Sequence, residues 1–215
     1  MAVIKHKEQR VGVFIDAQNL YHSGKNLYHS KVNFGQIMKE AVDERKLVRA
    51  VAYVIKTESG EESGFFDALV KMGIETKIKD LQIFSSGAKK ADWDVGMAID
   101  AVKLAPKLDA IVLVTGDGDF VPLVEYLQLN EGCQVEVVSF GKSTSSKLIE
   151  AADHFMDLDQ NPSKYLLRGG TTGYRDGRNT RSAGNEQRQA PVRDDSKAEK
   201  GGGRTERVVR TIKEE

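Results

Sequence analysis

Cysteine is almost absent. Cys133 is the only one in 215 residues, which excludes an internal disulfide and any zinc site built on several cysteines. No apolar run approaches the roughly 18 residues needed to span a bilayer, so membrane insertion is not expected. With no apolar leader either, the chain reads as unprocessed and cytoplasmic. Tryptophan occurs once, as Trp93, and the four histidines, His6, His22, His29 and His154, show no metal-ligand spacing and read as surface residues. Net charge is absent as well, 32 Lys and Arg standing against 32 Asp and Glu.

That neutrality conceals two unlike parts. Residues 1–161 hold 19 basic against 24 acidic side chains, whereas residues 162–215 hold 13 against 8. The second part also carries 9 of the 12 arginines and 8 of the 20 glycines, with few large apolar residues. Such a composition cannot offset the entropy of ordering its own backbone, so residues 162–215 read as a disordered basic tail. Residues 10–161 are long enough for one globular domain with a self-sufficient core, preceded by a short extension over residues 1–9.

Within the head, strand-length apolar runs occur at Val11 to Ile15, Val48 to Ile55, Ile74 to Phe84, Ala110 to Thr115 and Val135 to Phe140, with a last short one at His154 to Leu158. Segments of helical spacing lie between them: Phe34, Ile37, Met38 and Ala41; Phe65, Phe66, Leu69 and Val70; Val95, Ile99 and Val102; Val121, Val124 and Leu127; and the stretch Ser145 to Ala152. Alternating strands and helices predict an α/β fold, a central, mainly parallel sheet covered on both faces. The β-branched first and fourth runs suit central strands.

Open sheets of this kind place ligands in the crevice beyond the C-terminal strand ends, where the order reverses. The first run ends in Asp16-Ala17-Gln18-Asn19 and the fourth in Thr115-Gly116-Asp117-Gly118-Asp119. If the reversal falls between these two strands, their acids meet. Crowded carboxylates repel one another, and a divalent cation normally accompanies them.

A third acidic block opens a helix at Lys90-Ala91-Asp92-Trp93-Asp94. VFIDAQNLY at Val13 to Tyr21, KADWDVGMAIDA at Lys90 to Ala101, VTGDGDFVPLV at Val114 to Val124 and SFGKSTSSKLIEAADHFMDL at Ser139 to Leu158 together resemble the NYN domain of the LabA-like group, a branch of the PIN-like nuclease superfamily. The resemblance covers about residues 10–159. It implies a three-layer α/β/α sandwich, PIN-like and Rossmann-like, that hydrolyses RNA phosphodiesters with Mg²⁺ or Mn²⁺ held by clustered aspartates, here Asp16, Asp94, Asp117 and Asp119. Around them, Asn19, Asp92, Thr115 and Lys142 are candidates to support the acids or contact substrate. Hard oxygen donors suit these ions, which keep several waters.

Each of these residues also has a plain structural reading. Asp92 could cap a helix from Trp93 to Ala105, with Asp94 in its first turn where the dipole favours a negative charge. Asp119 could cap the helix that contains Pro122, and Asn19 either donates its amide to Asp16 or caps the helix that begins there. Asp100, about 240° further round the helix than Asp94, points away to a structural contact. Trp93 either stacks on a base or anchors its helix. Gly141-Lys142-Ser143 resembles the end of a phosphate-binding loop, but Glu136 stands where that loop needs glycine.

In the tail, Arg168, Arg175, Arg178 and Arg181, with Arg188 and Arg193, alternate with Gly, Asn, Gln and Thr, as in mobile contacts to RNA phosphates, although a solvated linker has the same composition. A short stretch at its end, Arg204 to Glu215, leaves a protein partner or a second copy of the chain open. The sequence thus points to a metal-dependent ribonuclease. A non-catalytic RNA-binding or regulatory adaptor with the same fold is the alternative, and single-stranded DNA stays open as a substrate.

Overall fold

The computed structural model describes residues 3, 5–56, 63–83, 89–90 and 92–167. The chain divides into two units, Met1–Thr172 and Gly173–Glu215, of which the second lies outside the described residues. In order, the elements are β1 (Arg10–Asp16), α1 (Ala17–Tyr28), α2 (Phe34–Val42), β2 (Lys46–Lys56), α3 (Ser63–Lys71), β3 (Glu75–Asp80), β4 (Gln82–Ile83), β5 (Lys89–Lys90), α4 (Asp94–Leu104), β6 (Ala110–Val114), α5 (Val121–Leu129), β7 (Gln134–Ser139), α6 (Ser146–Ala151), β8 (His154–Asp157) and α7 (Pro162–Tyr165). Among the described residues no helix is long and apolar enough to cross a membrane.

The sheet has the order β3-β2-β1-β6-β7-β8, and every neighbouring pair in it is parallel. The chain winds outward from β1 to β3, returns to β6 beside β1, and winds outward again to β8. The reversal therefore falls between β1 and β6, as expected, with Ile15 opposite Val114 at the end of the shared ladder.

Alternation along the two central strands builds both core layers. Val13 and Ile15 of β1 join Val112 and Val114 of β6 against Leu20 of α1, Ile37 of α2 and Leu69 of α3. On the opposite face Phe14, Ile111 and Leu113 pack with Met97 of α4, Val124 and Leu127 of α5, and Leu148 of α6. Each such side chain contributes about 1.5–3 kcal/mol by leaving water. The three layers foreseen from the sequence are present.

Two expectations need correction. The apolar run Ile74 to Phe84 is not one strand: β3 stops at Asp80, opposite the last residue of β2, and Gln82–Ile83 turns to pair antiparallel with Lys89–Lys90. Phe84 lies outside the described residues. In α4, Val95 and Ile99 do not face the core but are 69% and 47% exposed, and the buried side is Met97 and Ala101. The residues of each pair stand one turn apart, so this short apolar helix offers two competing faces of the same period.

The head also contains a buried ion pair. Arg45 and Glu136 are both almost fully buried, joined through both guanidinium arms, and Lys5 approaches the same carboxylate at 3.1 Å. Burial alone would push the Glu136 carboxyl up, but the Arg45 hydrogen bond and the Arg45 and Lys5 charges outweigh it and hold it below the usual carboxylate range. At the other end, packing continues beyond Asn161: Tyr165 of α7 is buried, Leu166 bridges to Val32, and the Leu167 amide donates to Lys31 O at 2.8 Å.

Candidate active site

Asp16 is both the last residue of β1 and the N-cap of α1, its Oδ1 accepting the Asn19 amide at 3.0 Å. Because Asp16 supplies the cap, the Asn19 side chain is turned elsewhere. Its Oδ1 accepts the Gly116 amide at 3.0 Å, tying the start of α1 to the loop after β6. In that loop Thr115 is fully buried, its hydroxyl 3.4 Å from Asp16 Oδ2 and accepting the Asp117 amide at 3.2 Å. Asp117 then accepts the Asp119 amide at 3.0 Å and caps the short turn Gly118–Phe120. Asp119 is exposed and does not cap α5.

Asp94 enters from the opposite side as the first residue of α4. Trp93 is the N-cap, with no side-chain capping bond, so the reading of Asp92 as the cap does not hold. Asp92 lies exposed one residue earlier, its carbonyl accepting Lys79 Nζ at 3.0 Å. Trp93 anchors the helix instead: its indole N–H donates to Val54 O at 3.0 Å and its ring lies 5.6 Å from that of Tyr53. Asp100 turns away as expected and accepts the Tyr53 hydroxyl at 2.7 Å and Lys77 Nζ at 2.6 Å.

Electrostatics join these acids into one group. Asp94 is pushed up to about 6, first by burial and then by the charges of Asp16, Asp117, Asp92 and Asp119. Asp16 is also raised, by burial first and by Asp117 among the remaining causes, although the Asn19 amide and the Thr115 hydroxyl pull the other way. These carboxylates therefore sit in one shared field of like charge with little to balance it.

A divalent cation fits that field. The donors are hard carboxylate oxygens, and a positive charge would relieve the repulsion that raises Asp94 and Asp16. Among the described residues no group of three His, Cys, Asp or Glu side chains is placed to hold a metal ion. Mg²⁺ does not require one, since it is commonly held by one or two carboxylates and keeps its waters.

The raised Asp94 makes the metal-free fold sensitive to pH. Because the folded value lies above the ordinary one, the contribution of Asp94 is fully favourable below about pH 4 and is lost as pH rises through about 6. Asp94→Asn should therefore leave the chelator-treated protein more stable than wild type at neutral pH, by on the order of 1 kcal/mol after allowance for solvent screening. The difference should shrink towards pH 4. Urea midpoints measured from pH 4 to 7 check this, and a pH-independent difference would contradict the coupling.

The loop carrying Asp117 and Asp119 is clamped from outside. The Ser145 amide donates to Gly116 O at 3.0 Å, and a Cβ on Gly118 would lie 2.7 Å from the Ser145 hydroxyl, so only glycine lets the two loops close. Sequence reading missed Ser145, and the pair of glycines spaced around Asp117 was the available signal. Lys142 belongs to a separate cluster beyond β7: its Nζ is 3.3 Å from the Tyr28 hydroxyl, and both Tyr28 and the Lys142 amide donate to Asp159. Arg168, Arg175, Arg178 and Arg181 lie outside the described residues.

Several known proteins are similar to this chain. The model of the NYN domain family matches residues 10–159. The protein LabA ("Low amplitude and bright") of Synechococcus elongatus is 29% identical over 160 residues, covering 71% of this chain and 86% of LabA. An uncharacterised protein of Methanocaldococcus jannaschii is 28% identical over 155 residues, covering 71% of this chain and 57% of its own length. A crystal structure of a protein of unknown function from Vibrio parahaemolyticus superposes with a TM-score of 0.69 at 33% identity, over 77% of this chain and all of that one. NYN domains fall within a superfamily of nucleases, whose members generally depend on divalent metal. With the match covering residues 10–159, well over half of the sequence, the chain belongs to the NYN domain family, in its LabA-like group.

Proposed function

We propose that this protein is a cytoplasmic, metal-dependent endoribonuclease whose site is the crevice between β1 and β6. The observation that carries the reading is the meeting of Asp16, Asp94 and Asp117 at the switch point of the sheet, where burial first and then the charges of Asp16 and Asp117 push Asp94 up to about 6. Asp16, Asp94, Asp117 and Asp119 would hold Mg²⁺ or Mn²⁺. Bound there, the ion supplies a water of lowered pKa and neutralises charge on the phosphate. The protein's own part is positional. The Asn19 amide and the Thr115 hydroxyl fix the two oxygens of Asp16, Asn19 and Ser145 fix the loop that carries Asp117, and the helix α4 delivers Asp94 from the opposite face. Asp92 adds negative charge beside Asp94.

The test is incubation of end-labelled RNA and single-stranded DNA of the same sequence with the full chain in Mn²⁺ and in chelator. The reading expects internal cleavage of RNA that chelator abolishes. Binding without cleavage in Mn²⁺ would favour the adaptor role.

In this reading residues 10–161 carry the chemistry and the basic tail tethers the substrate through residues that include Arg168, Arg175, Arg178 and Arg181. An acidic crevice alone would repel a polyanion. If about three to five tail arginines meet phosphates, they contribute roughly −2 to −3.5 to the slope of log K against log salt. Truncation after Leu167, beyond the packed α7, should remove that contribution, similarly for unrelated RNA sequences. Equal slopes for the two proteins would return the tail to a linker.

A further inference from the structure

The acids of the crevice do not account for what α1 presents to solvent. Starting from Asp16, its exposed face carries Tyr21, 45% exposed, then Lys25 one turn later, then the half-buried Tyr28. Residues at spacings of three and four stand above one another on one helix face. Lys25 Nζ lies 5.7 Å from the centre of the Tyr21 ring, and His22 braces that ring edge-on at 5.5 Å. The pattern then repeats with a lysine from elsewhere in the chain: Lys142, in the loop after β7, lies 5.3 Å over the Tyr28 ring. Asp159 holds this second pair in place, accepting from the Tyr28 hydroxyl and, at 2.7 Å, from the Lys142 amide. On the opposite side of the acids Lys79 lies 5.4 Å from the Trp93 ring.

A file of cations alternating with aromatic faces, beginning at a cluster of acids, has a specific chemical use. The lysines meet phosphates that the acids would repel, and the exposed Tyr21 ring accepts a base face, whereas the Tyr28 ring, packed on Phe140 at 5.5 Å and lying beneath Lys142, sets the position of that lysine. A base can stack on a side chain only if it is free of its partner strand, so the arrangement selects single strands over duplex. The rise from Tyr21 to Tyr28 is about 10 Å at 1.5 Å per residue, long enough for more than one base.

We propose that Tyr21, Lys25 and Tyr28 of α1, together with Lys142, form the track on which single-stranded RNA is held as it leaves the acidic crevice. The choice of RNA rests on the nuclease reading of that crevice; the track itself does not depend on cleavage.

The test is fluorescence anisotropy of the full chain with a labelled oligouridine dodecamer and with a labelled duplex, both in chelator so that no cleavage occurs. The Lys25→Glu, Lys142→Glu double variant should bind the dodecamer about tenfold or more weakly, and Tyr21→Ala about fivefold or more weakly. A Lys103→Glu, Lys107→Glu variant makes the same change of charge at the opposite end of the strands and should lose about twofold at most, since charges more than a Debye length away are screened. Wild type should bind the duplex at least about tenfold more weakly than the dodecamer. Circular dichroism and thermal midpoints establish that each variant is folded. Equal losses in the two double variants, an unaffected Tyr21→Ala, or duplex bound as tightly as the single strand would each overturn the track. Cleavage is read separately. A wild-type protein that binds through these residues but never cleaves sinks the nuclease reading and keeps the track, whereas cleavage with normal binding by the variants does the reverse.

Discussion

Asp117→Asn and Asp16→Asn are each expected to lower Mn²⁺-dependent RNA cleavage by about a hundredfold or more, equivalent to about 2.7 kcal/mol of transition-state stabilisation. The same substitutions should leave the metal-free fold intact or slightly stabilised. Asp16 and Asp117 each help to raise Asp94, so removing either charge relieves repulsion that the fold otherwise carries. Lost hydrogen bonds do not reverse this, because an asparagine oxygen can still accept the Asn19 amide at position 16 or the Asp119 amide at position 117. Single-turnover cleavage and urea denaturation in chelator check the two halves independently. Unchanged cleavage in both variants would sink the site assignment.

The largest effect on stability is expected far from the crevice. Arg45→Met leaves the Glu136 carboxylate buried at 2% exposure, with the partly exposed Lys5 at 3.1 Å and the Gln134 side-chain amide, donating at 2.7 Å, as its remaining described partners. Stranding a buried charge in this way costs about 3–5 kcal/mol. Arg45→Met combined with Glu136→Leu should recover most of the loss, because a well-packed apolar pair often replaces a buried ion pair without penalty. The pH dependence distinguishes this cause from lost packing. In wild type the depressed Glu136 contributes stability above the ordinary carboxylate range, which is lost as pH falls below it. In Arg45→Met the carboxylate becomes a liability that protonation removes, so the gap between the two proteins should narrow at low pH. A gap that is constant with pH would mean that packing, not charge, dominates.

Much of this was legible in the sequence because the signals were local. β1 and β6 announced themselves as apolar runs stopped by acids, and the switch-point rule for open sheets then set Asp16 beside Asp117. The rest depended on contacts between distant parts of the chain. The partner of Arg45 lies 91 residues away, and nothing in either segment marks it. Val95 and Ile99 had the right spacing, yet Met97 and Ala101, at the same spacing, were buried: two faces of α4 carried the same period, and only tertiary packing chose between them. Lys142 reads in the sequence as supporting the acids or contacting substrate, and its contacts could not be foreseen. Its side chain joins Tyr28, a pairing visible only once α1 and the loop after β7 were folded together. The Tyr-Lys-Tyr spacing on α1 could have been read from YHSGKNLY at Tyr21 to Tyr28 had surface as well as core faces been sought.

The central claim, that the aspartates of the crevice bind a divalent cation, is tested most directly by titrating Mn²⁺ into wild type, Asp16→Asn and Asp117→Asn and following free Mn²⁺ by electron paramagnetic resonance. Wild type should deplete the free signal saturably, and its thermal midpoint should rise with it, by about 2.7 kcal/mol of stabilisation at a hundredfold excess over the dissociation constant. Both variants should bind at least about tenfold more weakly. Identical binding curves for all three proteins, or no saturable binding in wild type, would contradict the claim.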